Sequence, residues 1–392
     1  MYSLKLELKL NNKERSKLAG CAGFARFTYN YGLDMLKQSW AFVGVKATDA
    51  QRLAAIEKLF TSEVKTKAEY VWMKEYPSGI YTSALRNLAR GVSRWREGVS
   101  GFPQMKFKRK GDSFTVLKKA GVYDKPVKEG GKLIAFTNRQ VLYPGKKIII
   151  PGLGEFRLKR ALPFLCSSQT FTISRTADKW FVSFAIDADK LSALIHEKKS
   201  VGIDLDVKCF ATLSDGLFIQ VPPTVKQAKA KLSEEQWRNR NKQKGNRKQG
   251  IKSSKNAKKH FAKVARQHSH IANIRKNFLQ QTTTELSRKY ERIRIEDLNV
   301  SGMIANGKLS EAISSLGLYE FRRMLTYKSS FYGTKLEIVD QWYPSSKTCS
   351  CCGHIQPIPL SERVFRCERC THEQDRDWNA AINLMNAPKS KV

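Results

Sequence analysis

Two Cys-x-x-Cys pairs lie near the end of this chain, in the run CSCCGHIQPIPLSERVFRCERCTHEQDRDWNAAIN from Cys349 to Asn383, directly ahead of a helix opened by acidic residues. Cys349 with Cys352, and Cys367 with Cys370, can each clamp one edge of a tetrahedral metal, and the fourteen residues between the pairs suffice for a hairpin. Zn(II) is the natural occupant. Four thiolates leave no open coordination position, so the metal is expected to be structural. In the following segment Asp377 admits two readings: a carboxylate at a helix start is a hard oxygen ligand for a catalytic metal, or it is a helix N-cap. The choice depends on carboxylates elsewhere in the chain.

Two earlier segments supply them. VGIDLDVKCFATLSDG from Val201 reads as a strand, a tight hairpin and a second strand, with Asp204 inside an apolar run where an unpaired charge is expensive. ERIRIEDLNV from Glu291 alternates Ile293 and Ile295 with arginines, as a half-exposed strand does, and places Glu296 at the strand's C-terminal tip. An Asp in a first strand, a Glu at the tip of a later one and an Asp on a late helix form the carboxylate order of an RNase H-like nuclease. Such a site holds two Mg(II) ions, roughly 4 Å apart, on a phosphodiester.

The combination of GIDL, IEDLNVSGM, WYPSSKTCS, the double Cys-x-x-Cys and DRDWNAAINL resembles the TnpB (OrfB) proteins of bacterial insertion sequences, RNA-guided DNA endonucleases related to type V CRISPR effectors. The likeness is dense from about residue 200 to the end and looser before it, as in GFARFTYNYGL and GFPQMKFKRK. It implies that Asp204, Glu296 and Asp377 are the RuvC catalytic carboxylates and that Cys349, Cys352, Cys367 and Cys370 hold zinc. It further implies a guide RNA from the transposon end, a double-stranded DNA target with a short adjacent motif, and a monomer within the ribonucleoprotein. The chain departs from the pattern at three places. Asp206 stands where the family usually has Gly, and period-two geometry turns it to the face of Asp204 unless strand twist carries it to solvent. Thr371 replaces the Gly after the last Cys, which alters the turn, and Cys351 is a spare thiol beside a ligand.

Charge narrows the partners independently. Lys plus Arg number 71 against 35 Asp plus Glu, a surplus of +36 that favours a polyanion. No run approaches eighteen apolar residues and no signal peptide is visible, so nucleic acid is favoured over lipid and a bacterial cytoplasmic, nucleoid-associated location is expected. The remaining cysteines, Cys21, Cys166, Cys209 and Cys351, fit a reduced compartment better than a disulfide scaffold.

In chain order, Tyr2, Leu4, Leu6, Leu8 and Leu10 alternate with charged residues as a strand. Helical spacing follows from Lys13 to about Trp40 and again in ATDAQRLAAIEKLF and TSALRNLARGVSRW. KLIAFT, KKIIIPGLGEFRLKR and FTISRTADKWFVSFAID read as antiparallel strands, with Trp180, Val182, Phe184 and Ile186 on one face. ADKLSALIHEKKS is a candidate linker. RNRNKQKGNRKQGIKSSKNAKK is expected to be mobile without nucleic acid, whereas Phe261, Val264, His268, Ile271, Ile274 and Phe278 should form a helix face packed on a sheet. His268 and His270 have no partner Cys nearby and are read as packing or backbone-contacting residues, outside the metal sets. EDLNVSGMIANGKLS reads as a polar loop, Ile313 to Leu325 as one helix and TKLEIVDQWYP as a strand.

The expected whole is a multidomain α/β chain. An RNase H-like (RuvC) nuclease domain covers 196–392 with a zinc-knuckle insert at about 343–374. An N-terminal small β-barrel, the family's wedge domain, comprises 1–12 and 101–195 and carries a helical recognition insert over 13–100. By the resemblance, Thr82, Ser83, Arg86 and Asn87 contact nucleic acid; Lys106, Lys108, Arg109 and Lys110, interleaved with aromatics, suit a phosphate backbone, as do Arg238 and Arg240 of the basic run. Arg376 is placed to steady the scissile phosphate. Competing functions are a nuclease-inactive RNA-guided repressor, which Asp206 would favour, and an accessory transposase.

Overall fold

The computed structural model describes residues 2–41, 47–108, 111–118, 127–129, 132–135, 139–186, 197–245, 249–305, 307, 310–359 and 362–388. Residues 188–196 of the candidate linker and the Arg109–Lys110 pair lie outside them, whereas residues 198–200 at the linker's end already form part of a strand. The chain divides into two compact units, Met1–Ala188 and Asp189–Val392.

The first unit opens with β1 (Tyr2–Lys9) and then three helices, α1 (Asn12–Ala41), α2 (Asp49–Ser62) and α3 (Ser78–Arg96). Thr48 starts α2 through a capping box with Gln51, which satisfies two backbone donors that the helix end leaves without partners. The strands β2 (Ser113–Leu117), β3 (Val127–Glu129), β4 (Lys132–Ala135), β5 (Gln140–Leu142), β6 (Gly145–Ile150), β7 (Gly154–Leu162), β8 (Cys166–Ser168), β9 (Thr170–Thr176) and β10 (Lys179–Ile186) follow. Five of them join β1 in one sheet in the order β2-β9-β10-β1-β7-β6, so the first strand of the chain is clasped between strands some 150 to 180 residues later. Trp180, Val182, Phe184 and Ile186 are all buried, as their alternation requires. Among the described residues, no helix is long and apolar enough to cross a membrane.

The second unit is built on a mixed sheet. Its strands are β11 (Lys198–Asp204), β12 (Ala211–Leu213), β13 (Phe218–Ile219), β14 (Tyr290–Glu296) and β15 (Lys335–Val339), in the order β13-β12-β11-β14-β15. β11 to β13 meander antiparallel, whereas β11, β14 and β15 run parallel through helical crossovers. Helices α4 (Pro223–Arg238) and α5 (Lys255–Lys289) form the first crossover; α6 (Val300–Ala305), α7 (Ser310–Leu316) and α8 (Leu318–Tyr332) form the second. A two-stranded hairpin of β16 (Val364–Arg366) and β17 (Glu373–Asp375) leads into α9 (Arg376–Asn386).

Several sequence expectations change here. The described part of the basic run is helical at both ends, since α4 reaches Arg238 and α5 starts at Lys255 with Ser254 as its N-cap. In α5 the stripe from Phe261 to Ile274 is only half-buried and His268 is exposed; burial on the sheet sets in near Phe278, whose ring meets Phe210 edge-on at 5.0 Å. The helix foreseen over Ile313 to Leu325 is two helices, broken at Gly317, where φ is 75° and glycine pays no steric cost. EDLNVSGMIANGKLS holds the short α6.

β14 is not half-exposed. Ile293 and Ile295 are buried, and Arg294 on the opposite face is buried too, donating to the α9 carbonyls of Met385 (2.5 Å) and Ala387 (2.8 Å) and to Glu337 (2.7 Å). A guanidinium thus closes the C-terminal end of α9, where the helix dipole favours a cation. Gly202 permits the crossing. A Cβ there would stand 2.0 Å from the Ala381 carbonyl oxygen, so only glycine lets α9 lie on the β11 backbone.

Candidate active site and cysteine cluster

β11 and β14 pair in parallel with Ile203 opposite Ile295, so Asp204 and Glu296, one residue further on, emerge from the same edge of the sheet. Asp377, the second residue of α9, is delivered to that edge by the crossing at Gly202. The N-cap is Asp375, whose Oδ1 accepts from the backbone N–H of Asp377 and of Trp378 at 3.0 Å each. That removes capping as the role of Asp377. Asp204, Asp206, Glu296, Arg376 and Asp377 line one cavity of about 380 Å³, together with Trp342, Lys347 and the intervening turn.

The electrostatics of this recess are those of buried acids, with crowding of like charge second. Burial pushes Asp204 up to about 8, and Asp377, Glu296 and Asp206 add to the shift against the opposing Arg376. Burial also raises Glu296 and Asp377 above the ordinary carboxylate range; Asp297 adds to the first, while Arg376 partly offsets the second. Asp206 does face the site, and strand twist does not carry it away. Arg363, just ahead of β16, reaches both Asp206 (3.0 Å) and Asp377 (3.5 Å).

Arg376 turns inward. It is buried on the cavity wall, lies 3.2 Å from Asp377 and donates to the Glu362 carbonyl at 3.0 Å, so its guanidinium braces a carboxylate. An all-carboxylate donor set whose members resist ionising together suits a hard divalent cation.

The four cysteines form a tighter cluster. Their sulfurs all lie within 4.8 Å of one another, with Cys349 and Cys370 3.7 Å apart and Cys352 and Cys367 3.6 Å apart. A Zn–S length near 2.3 Å implies tetrahedron edges of roughly 3.8 Å, so the sulfur set fits zinc. The two knuckles repeat one hydrogen-bond pattern. Gly353 N–H donates to the Cys349 carbonyl and Cys349 N–H to the His354 carbonyl, while Thr371 N–H donates to Cys367 and Cys367 N–H to His372. Gly353 (φ 74°) and Thr371 (φ 58°) occupy equivalent left-handed positions, the second strained for a β-branched residue. Burial opposes ionisation of Cys367, yet the N–H groups of Cys370 and Arg369 draw its thiol down to about 6. Cys351 points outward and is exposed.

Two residues not foreseen as functional join the cluster to the carboxylates. Asn379 and Asn383, buried on α9, donate to the Thr348 carbonyl at 2.7 and 2.6 Å, and Asn379 accepts from Ser350 N–H at 2.9 Å. Polar residues four apart on an otherwise apolar helix face were the signal for them.

The remaining nucleic-acid candidates scatter over both units. On α3, Arg86 and Asn87 are exposed and Thr82 is half-buried, whereas Ser83 is buried and donates to the Gly79 carbonyl (2.6 Å), which takes it off the surface. Lys106 and Lys108 are exposed, with Lys106 Nζ 3.9 Å from the Tyr29 ring centre. Arg238 pairs with Glu234 (2.6 Å), and Arg240 stacks on Trp237.

Family models match three stretches: "Helix-turn-helix domain" over 2–42, "Probable transposase" over 183–307, and "Cas12f1-like, TNB domain" over 319–384. Within the first, the described residues are a strand and one long helix. A Streptomyces pristinaespiralis protein provisionally named RNA-guided DNA endonuclease is 32% identical over 378 residues, covering 96% of this chain and 86% of that protein. The InsQ protein of Escherichia coli K12, named in the same way, is 28% identical over 404 residues, covering 99% and 92%. The fold is similar to that of Cas12f1 in a cryo-EM complex with sgRNA and target DNA, with TM-score 0.51, 14% identity and 98% of each chain covered.

Proposed function

The chain belongs to the TnpB (OrfB) family, related to the type V CRISPR effectors, and from that premise we propose that it is a transposon-encoded RNA-guided DNA endonuclease that cuts in the Asp204–Glu296–Asp377 recess. The observation that carries the cutting site is the convergence of these three acids, from two parallel strand tips and one helix start, on a single cavity. In this reading residues 196–392 are an RNase H-like (RuvC) nuclease domain with its zinc-binding insert at about 343–374. Residues 1–12 and 101–195 are the wedge barrel, and 13–100 the helical recognition insert.

Asp204, Glu296 and Asp377 would hold two Mg(II) ions, which when bound supply a hydroxide nucleophile at neutral pH and stabilise the departing oxygen. The protein's part is to hold three carboxylates close together on rigid elements, so that a bound cation is what offsets their burial and mutual repulsion, and to brace Asp377 through Arg376. Cys349, Cys352, Cys367 and Cys370 would hold one structural Zn(II) that fixes the hairpin carrying Arg363.

Specificity resides in base pairing to the guide, while the protein grips the backbone. Arg86, Asn87, Lys106, Lys108, Arg238 and Arg240 are exposed and suited to that grip, and Thr82, Arg109 and Lys110 belong to the same proposal. The particle would be one protein chain with one guide RNA, acting on bacterial double-stranded DNA beside a short motif.

The test is to express the chain with its flanking genomic DNA, sequence the RNA that copurifies, and challenge the particle with a matching plasmid and Mg(II). Double-strand breaks that follow the guide support the reading. Guide-directed binding without cutting would make the protein a nuclease-inactive repressor, and joined DNA ends would make it a transposase.

A further inference from the structure

Among the described residues, Trp342 is the most exposed large hydrophobic side chain, at 82%, and it stands on the wall of the carboxylate cavity. Its backbone is pinned on both sides. The N–H of Trp342 donates to Asp340 Oδ1 (2.8 Å) and that of Tyr343 to the Asp340 carbonyl (3.0 Å), closing a turn straight after β15. Tyr343 packs against Val339, Leu384 and Ala387, and its hydroxyl donates to the Asn383 carbonyl at 3.3 Å. Val339 in turn is the register partner of Glu296, so the turn is tied directly to the strand tip that bears a site carboxylate. The indole itself meets no ring and no cation among the described residues.

An indole left against water beside an acidic site, on a backbone turn that is pinned, calls for a flat, weakly polar occupant. Lys347 on the same wall supplies the positive charge that an attached phosphate needs. Stacked bases inside a duplex offer no free face, whereas each base of an unpaired strand offers one. Resting on the reading of the recess as the place of strand cleavage, we propose that Trp342 is a stacking platform for an unpaired base flanking the scissile phosphate. It holds the strand in register over the carboxylates and selects single-stranded over paired DNA.

The test uses the full chain with its guide RNA and a short unpaired oligodeoxythymidine strand, alongside the same strand with an abasic position beside the cut. Stacking on an aromatic is worth about 5- to 150-fold in binding, so Trp342→Ala raises KM by that order with little change in kcat, and Trp342→Phe keeps most of the affinity. The penalty of Trp342→Ala vanishes on the abasic strand. Adding the intact strand quenches a component of tryptophan emission that Trp342→Phe lacks, a readout that needs no cleavage. Equal quenching in the two proteins, or an equal penalty on intact and abasic strands, overturns the proposal. A wild-type particle that does not cut would overturn the proposed function instead, and the quenching would still decide the role of Trp342.

Discussion

The cysteine cluster and the carboxylate recess share α9, yet they are assembled in opposite ways. The cysteines come in pairs three residues apart, and each pair is shaped by its own knuckle, with backbone N–H groups bonded to the Cys349 and Cys367 sulfurs. The carboxylates come from positions 204, 296 and 377 and meet only because two strands run parallel and a helix crosses one of them. The cluster therefore closes to within 4.8 Å, whereas the recess remains a larger cavity in which burial first, and neighbouring acids second, raise the carboxylate pKa values, with two arginines on Asp377. A site made of local geometry is stable as drawn; a site made of converging charges is held open by the fold against its own repulsion.

The largest expected effect breaks the local side of that contrast. Structural zinc contributes about 10–16 kcal/mol of apparent folding free energy in small domains, so Cys367→Ser should release the metal and unfold the hairpin lobe. Elemental analysis with hydrogen exchange over the 343–374 segment checks this, and a lobe that stays protected without zinc would contradict it. Next comes Asp377→Ala, which should lower guided cleavage by about a thousandfold or more, the scale on which transition-state charge stabilisation is lost. Filter binding should show guide and target affinity intact, and metal-dependent cutting by the variant would remove Asp377 from the site.

Smaller effects sharpen the distributed side. Asp204 has a folded-state pKa of about 8 against an ordinary 3.8, so the folded protein prefers the proton. Its ionisation costs nothing below the lower value, costs progressively more as pH rises between the two, and costs the full amount above about 8. Asp204→Asn should accordingly raise the Tm of the metal-free protein at pH 8 by about 2–4 °C for each kcal/mol relieved, and leave it unchanged near pH 3. Calorimetry at the two pH values is decisive, and a variant destabilised at pH 8 would reverse the reading. Smallest is Arg363→Gln. A partly exposed ion pair is worth about 1 kcal/mol or less, so freeing Asp206 and Asp377 should tighten Mn(II) binding by about fivefold at most in an equilibrium titration. Weaker binding would mean that Arg363 orders the acids and does not compete for them.

Much of the second unit was legible in the chain. Period-two apolar runs marked the strands ending in Asp204 and Glu296, and ligand spacing marked the knuckles, because both signals depend on neighbours only. What escaped depends on distant partners. Arg294 sits in an alternating strand as a solvent-facing residue would, but α9 lands on that face and turns it into a buried cap. The contacts of Arg376 with Asp377 and with the Glu362 carbonyl of the hairpin were likewise invisible in the chain. Asp375 took the capping role through a two-residue difference in where α9 begins.

Residue order by itself determined which atoms can bind metal, which strands end in acids and which polyanionic partner the charge favours, since these follow from side-chain chemistry and short-range periodicity. Tertiary structure decided between the two orientations open to Asp206, and it alone brought Arg363 into the recess and set Trp342 beside the acids. The recess itself rests on the close passage of α9 over Gly202, a contact between residues about 180 positions apart that no local pattern encodes.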